Sequence, residues 1–304
     1  LKIMNKTNIY YKKTEKNERI IKNLGDMTFT PSALLPNSLF QISYNELKKK
    51  PKLKYKREYI TNTDGGLISL DWVIQDEHEK FDKLFVILHG LTGGSNTCYI
   101  KETILGFIGK GYKIVVIQYR GINDTPLLTP LMFHGGFTDD LLFSLRYIRK
   151  KYDLPMYCMG ISMGANIFTR FLANNYEEWQ GVIKGLISLS NPYNLDLVEK
   201  RNRGTLMEKL ILLLLKGYLR RNKYLLELNE SIDYDYIYKT KRYKEIDEHV
   251  ILALFKNFKS VDEYYHEVSC VHVLDKVKFP CLFVSSRDDV LSPIEMLDYK
   301  KSKD

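Results

Sequence analysis

The sequence is poor in cysteine and has no apolar run long enough to cross a bilayer. Four cysteines, Cys98, Cys158, Cys270 and Cys281, are scattered over 304 residues without C-x-x-C spacing, which excludes zinc ribbons and thioredoxin-type motifs. Cys158 and Cys281 sit within apolar runs that read as buried strands, where a free thiol behaves as a small hydrophobe. The thiols read as reduced, in a cytoplasmic rather than a secreted setting. No stretch reaches about 18 apolar residues, so no transmembrane helix is predicted. The start, Leu1-Lys2-Ile3-Met4, stays polar and carries no visible signal peptide. There is no internal repeat. His78 lies in an acidic loop whose neighbours lack a metal-ligand spacing, and no cofactor or metal is implied.

Acidic residues are scarce at one end only. Residues 1–60 hold 14 Lys/Arg and 5 Asp/Glu, while the other 244 residues hold 32 of each. The whole excess of +9 therefore lies in the N-terminal fifth, and a body-wide nucleic-acid surface is not indicated. Residues 1–28 read as a basic N-terminal arm. It could favour an anionic membrane surface, although lysine-rich codon usage explains it equally well. With 44% hydrophobic and 27% charged residues the remainder is ordinary folded protein, not a disordered or collagen-like chain.

From Lys54 the pattern is strand, turn, strand. Tyr55–Ile60 is followed by the turn Asp64-Gly65-Gly66 and by Leu67–Trp72. Short apolar runs at 84–88, 113–117, 156–159, 185–189 and 281–284 then alternate with helical stretches. Their continuous hydrophobicity predicts strands buried on both faces, in a parallel sheet under crossover helices. Residues from about 195 to 268 break this rhythm and read as a helical lid insertion. Within it, Leu206 to Leu219 is the most apolar stretch. Buried helix is the plain reading; interfacial membrane contact is the sharper one, because Lys216, Arg220, Arg221 and Lys223 follow directly.

Three motifs carry chemistry. Gly160-Ile161-Ser162-Met163-Gly164 follows a predicted strand and precedes a predicted helix, which is the context of a nucleophile elbow. A serine there stands clear of the backbone, and the glycines let strand and helix approach. The plain alternative is a tight turn with an incidental serine. His89-Gly90-Leu91-Thr92-Gly93-Gly94-Ser95 follows the strand at 84–88, where the N–H of Leu91 could join that of Met163 as an oxyanion hole. A phosphate loop is the rival, but no Gly-Lys-Ser/Thr follows. His89 reads as loop packing. The third motif runs from Phe279 to Pro293, a late apolar strand ending in Asp288-Asp289, and either aspartate could orient a catalytic histidine.

With these motifs in view, the chain resembles the α/β-hydrolase superfamily, and within it the abhydrolase-domain branch of medium-chain esterases, monoacylglycerol lipases and phospholipases. Further stretches carry the likeness: Phe29-Thr30-Pro31, Leu34 to Gln41, Thr63 to Trp72, Tyr119-Arg120-Gly121, Phe137 to Leu141, Ser190 to Leu195, and Asp262-Glu263-Tyr264-Tyr265 with Ser269. The resemblance implies a mostly parallel α/β sheet over residues 29–304. It also implies a serine esterase or lipase acting on carboxylic esters, with acyl lipids as substrates, Ser162 as nucleophile and Asp289 as acid. Asp289 is preferred over Asp288 because Pro293 lies four residues on, a common spacing in this fold. His134, beside Gly135-Gly136, resembles a structural loop histidine. A catalytically inactive lipid-binding or scaffold protein and an acyltransferase are the alternatives.

The base is missing. The resemblance places a histidine one further strand past the acid, yet none of the 15 residues after Asp289 is His. His78, His89, His134, His249, His266 and His272 all precede it. Of these, His266 could approach the serine from the lid, and His249 and His272 have no evident role. Leu297 to Asp304 reads as a helix cut short, so the chain is read as truncated at the C-terminus rather than as a pseudoenzyme. A serine without its base loses several orders of magnitude in rate. Sequencing onward from Asp304 separates the two readings, since a Gly-His shortly downstream is expected only of the truncated enzyme.

Overall fold

In the computed structural model the described residues are 5–24, 28–29, 32, 34–35, 38–76, 78–289, 291–292 and 296. Thr30, Pro31, Pro36, Asn37, Pro293 and Leu297 to Asp304, all used in the sequence reading, lie outside them. The N-terminal segment forms β1 (Asn5–Lys6), α1 (Glu15–Leu24), β2 (Thr28–Phe29) and α2 (Ser38–Leu47), with β1 and β2 paired antiparallel. No residue of α1 is buried.

The main sheet is built from β3 (Tyr55–Thr61), β4 (Leu67–Val73), β5 (Lys83–Leu88), β6 (Tyr112–Gln118), β7 (Met156–Ile161), β8 (Ile183–Leu189) and β9 (Cys281–Val284), in the order β3-β4-β6-β5-β7-β8-β9. The β3–β4 hairpin is antiparallel and closes at Gly65, which has φ +81°. From β6 through β9 all neighbours are parallel. This is the α/β-hydrolase fold. The crossovers carry α3 (Cys98–Leu105), α4 (Asp139–Lys151), α5 (Met163–Asn174) and α6 (Tyr176–Trp179).

The strand interiors alternate as pleating requires, even though the runs are apolar throughout. Leu84, Val86 and Leu88 enter the larger core with Val115, Ile117, Met156 and Cys158. Phe85 and Ile87 enter the opposite core with Ile114, Val116, Met159 and Ile161, under α3. The last strand departs from expectation. β9 is only half-buried, with Leu282 and Val284 exposed and Cys281 partly so, because no described element covers its second face.

Between β8 and β9 the chain is helical: α7 (Leu195–Asn202), α8 (Leu206–Arg221), α9 (Lys223–Leu226), α10 (Tyr234–Lys239), α11 (Tyr243–Ile246), a π-helical turn over Asp247–Ile251, α12 (Leu252–Leu254), α13 (Val261–Val268) and a 3-10 stretch over Cys270–Lys276. Among the described residues no helix is long and apolar enough to cross a membrane.

One buried ion cluster ties the hairpin to the crossover helix α4. Arg120 is fully buried after β6. Its Nε donates to Asp140 at 2.8 Å, its Nη1 to Asp64 at 2.8 Å, and its Nη2 to the second oxygen of Asp140. Burial by itself would lower the pKa of this guanidinium, but Asp140 and Asp64 outweigh that and raise it. Gly66 faces the guanidinium so closely that any Cβ would collide with it. Removing one partner of a buried pair leaves the other uncompensated, so Arg120→Leu is expected to cost about 3–5 kcal/mol. A urea midpoint unchanged from wild type would refute this.

Candidate active site

Ser162 sits between β7 and α5 with φ +53° and ψ −121°, a left-handed conformation that a side chain adopts only under constraint. The constraint is visible on both sides. Its N–H donates to the Leu189 carbonyl at 2.9 Å, tying it to the end of β8. Its own carbonyl accepts the N–H groups of Ala165 and Asn166 in the first turn of α5. Both motif glycines are required by close approach. A Cβ on Gly160 would strike Ala165 and the Gly164 carbonyl. A Cβ on Gly164 would strike the carbonyl oxygens of Leu88 and His89. The start of α5 therefore lies directly on the end of β5.

That approach brings the two predicted glycine loops together. A Cβ built on Gly90 would lie 3.3 Å from the Cβ of Ser162, so the 89–95 loop runs past the serine. Met163 is the first residue of α5, and its N–H has no partner within the helix. Leu91 is partly buried against the main core. The loop is held from below by a polar network that the sequence reading did not identify. Asp71, buried in the middle of β4, accepts Arg57 Nε at 2.7 Å and Nη2 at 2.8 Å, Ser95 Oγ at 2.6 Å and Gln118 Nε2 at 3.0 Å. Tyr55 Oη donates to the Ser95 carbonyl and Tyr99 Oη accepts the Gly90 N–H. The signal was there: Asp71 is the lone acid in a strand apolar apart from Ser69, Leu-Ile-Ser-Leu-Asp-Trp-Val. Asn166 was missed as well. It joins the elbow helix to the Gly135 and Val268 carbonyls, both at 2.7 Å, and to the Cys270 N–H at 2.9 Å.

The two aspartates differ. Asp288 is exposed and accepts a hydrogen bond from Ser286 Oγ. Asp289 is partly buried, and its Oδ1 accepts the N–H groups of Leu291 at 2.8 Å and Ser292 at 2.9 Å. Ser292 Oγ donates to the Ser190 carbonyl, and the Ser190 N–H donates to Val284. The Asp289 turn is thus fastened to the same end of β8 that holds Ser162.

None of the six histidines is hydrogen-bonded to Ser162 or Asp289 among the described residues. His89 is fully buried, with Nδ1 2.7 Å from the Gly90 carbonyl and its ring edge-on to Tyr119. His134 is enclosed by Phe137, Phe255, Phe258 and Tyr264. His249 stacks on Tyr236, and His266 is exposed and stacks on His272 at 4.0 Å. Beside the 89–95 loop lies a cavity of about 470 Å³, lined by Thr92, Gly93, Gly94, Asn123, Arg221 and Tyr224 among others.

The family pattern described as the alpha/beta hydrolase fold matches residues 83–208. Protein abhd-3.2 of Caenorhabditis elegans is 26% identical over 295 residues, covering 94% of this chain and 76% of its own. Phospholipase ABHD3 of Bos taurus is 27% identical over 267 residues, covering 84% of this chain; the match spans 64% of the bovine protein, just under two thirds of its length. The Pyrococcus furiosus esterase Pf2001 superimposes with a TM-score of 0.54 at 16% identity, over 90% of this chain and 84% of the esterase, a likeness of fold.

Two outcomes follow from the packing. Gly164→Ala should force α5 off the end of β5 and cost about 1–3 kcal/mol, with loss of any reactivity at Ser162; a variant as stable and as reactive as wild type would disprove the close approach. Burial lowers the pKa of His89 from 6.5 to about 4, and burial together with Arg170 lowers that of His134 to about 3. Below about 6.5 the unfolded chain binds protons that the folded chain does not, so stability is lost as pH falls from about 6.5 toward 4. A thermal midpoint that stays level across that window would contradict their burial as neutral rings.

Proposed function

This chain is an abhydrolase-domain α/β-hydrolase, and from that premise we propose that it is a serine hydrolase cleaving carboxylic esters of acyl lipids. The observation that carries the reading is the backbone of Ser162. A non-glycine residue held at positive φ, on a turn that only glycines can flank, is strain retained where a nucleophile must be presented. The phospholipase name of the bovine relative supports lipid esters as the substrate class.

The reaction is a two-step acyl transfer. Ser162 Oγ attacks the ester carbonyl, and its proton passes to a base. The carbonyl oxygen, now negative, accepts the N–H groups of Leu91 and Met163, which are fixed in advance and need no reorganisation. The base returns its proton to the leaving alcohol, and water then releases the acid from the acyl-serine. Asp289 orients the base through the carboxylate that the 289–292 turn holds in place. Among the described residues no histidine is bonded to either group, and the proposal assigns the base to none of them.

A fluorophosphonate probe tests the proposal on the full-length protein. Covalent labelling that Ser162→Ala abolishes is expected, together with ester hydrolysis lost by several orders of magnitude in the same variant. Absence of labelling in the full-length protein, or labelling indifferent to Ser162→Ala, would leave a non-catalytic protein on this fold.

A further inference from the structure

We propose that the outer face of α8 docks on an anionic phospholipid bilayer. The helix is apolar on two sides. Met207, Leu212, Leu215, Tyr218 and Leu219 form its buried side. On the opposite side Leu206, Leu210, Leu213 and Leu214 are 72%, 42%, 68% and 37% exposed. Their spacing of i, i+4, i+7 and i+8 gathers them into one stripe along the helix. A helix that is apolar all round belongs in a core or against an apolar medium, and here only one side has found a core.

Charge says what the medium is. The residues flanking the stripe on its exposed side are Lys209, Arg220 and Arg221, and none of them is paired with a carboxylate among the described residues. The one acid of the helix, Glu208, is turned inward, where its Oε2 accepts the Gly204 N–H at 2.6 Å. Lys216 edges the same face and donates to the Tyr238 and Thr240 backbone carbonyls at 2.9 and 2.7 Å. Leucines flanked by cations, on a helix with no exposed acid, suit a membrane interface: the leucines enter the acyl boundary and the cations meet anionic headgroups. A protein partner of acidic character would match the cations but not require four adjoining leucines.

The placement is also functional. At the C-terminal end of α8, Arg221, Asn222 and Tyr224 line the cavity whose other wall is Thr92, Gly93 and Gly94. A bilayer under α8 would therefore lie at the mouth of the cavity beside the oxyanion-side loop, where a lipid ester could pass from the membrane to Ser162. This last step rests on the proposed function; the docking surface itself does not.

The test is co-sedimentation of the full protein, as its Ser162→Ala form so that no lipid turns over, with vesicles of phosphatidylcholine mixed with phosphatidylserine and with vesicles of phosphatidylcholine alone. Binding is expected to be tighter to the mixed vesicles and to weaken with salt. Leu210→Asp with Leu213→Asp should weaken it by about tenfold or more on both vesicles. Lys209→Glu with Arg220→Glu should reduce binding to mixed vesicles to the level of phosphatidylcholine. A thermal midpoint for each variant verifies folding, and Leu213→Ser replaces the aspartate pair if that pair unfolds. Wild-type binding by the leucine variants overturns the proposal. So does a wild-type protein that ignores vesicles but self-associates through a contact these variants break, since a second copy then covers the face. Vesicle binding with no fluorophosphonate labelling of the unmutated protein removes the catalytic reading and leaves the docking surface standing.

Discussion

The contact of the first turn of α5 with the end of β5, backbone against backbone, is what the rest of the site depends on. It exists only because position 164 has no side chain: the space a Cβ would need is already held by the carbonyl oxygens of Leu88 and His89. The same contact sets the angle at which β7 must turn into α5, and that angle places Ser162 at φ +53°. The strain there, of order 1–3 kcal/mol, is sustained because the Ser162 N–H and carbonyl are both bonded to neighbouring elements. A looser packing of α5 would relax the serine and move the N–H of Met163 away from the 89–95 loop in the same motion.

Buried charge secures the two ends of this arrangement in different ways. Asp71 gathers hydrogen bonds from β3, β6 and the 89–95 loop onto one carboxylate in the middle of the sheet. Arg120 does the converse, gathering two carboxylates from the β3–β4 turn and α4 onto one guanidinium. Buried ion pairs are weak evidence for net stability, because desolvation offsets much of their attraction. Their value here is geometric: each fixes a loop that no apolar packing could hold in one place.

The fold was legible where short apolar runs alternated with helical stretches, a rhythm that points to strands buried on both faces for β5, β6 and β7. The β3–β4 turn was legible from Asp64-Gly65-Gly66, and the Ser162 elbow from its two glycines. Local pattern failed where burial depended on neighbours. Cys281 and Leu282 look as apolar as Val86 and Ile87, yet β9 has a partner on one side and a half-covered surface. The role of Asn166 was illegible for the complementary reason, and Asp71 stood out only as a lone acid in its strand, without its partners. A polar residue inside an apolar segment has meaning only through groups distant in sequence, and Asn166 reaches residues more than a hundred positions on.

The two halves of the candidate site are held with unequal firmness, and the chemistry explains the difference. The 89–95 loop is bonded to β3, β4 and α3 through Ser95, Gly90 and their partners, and α5 is pressed against its base. Donors that stabilise a transient negative charge are effective only if they do not move when the charge appears. On the acid side Asp289 depends on a short turn whose tie to β8 is the Ser292–Ser190 bond. An acid that acts through an intervening imidazole needs the right orientation rather than a fixed distance to the reacting atoms, because the histidine completes the geometry. In the proposed mechanism the rigidity therefore lies where the transition-state charge would develop, and the tolerance lies where a third group would have to fit.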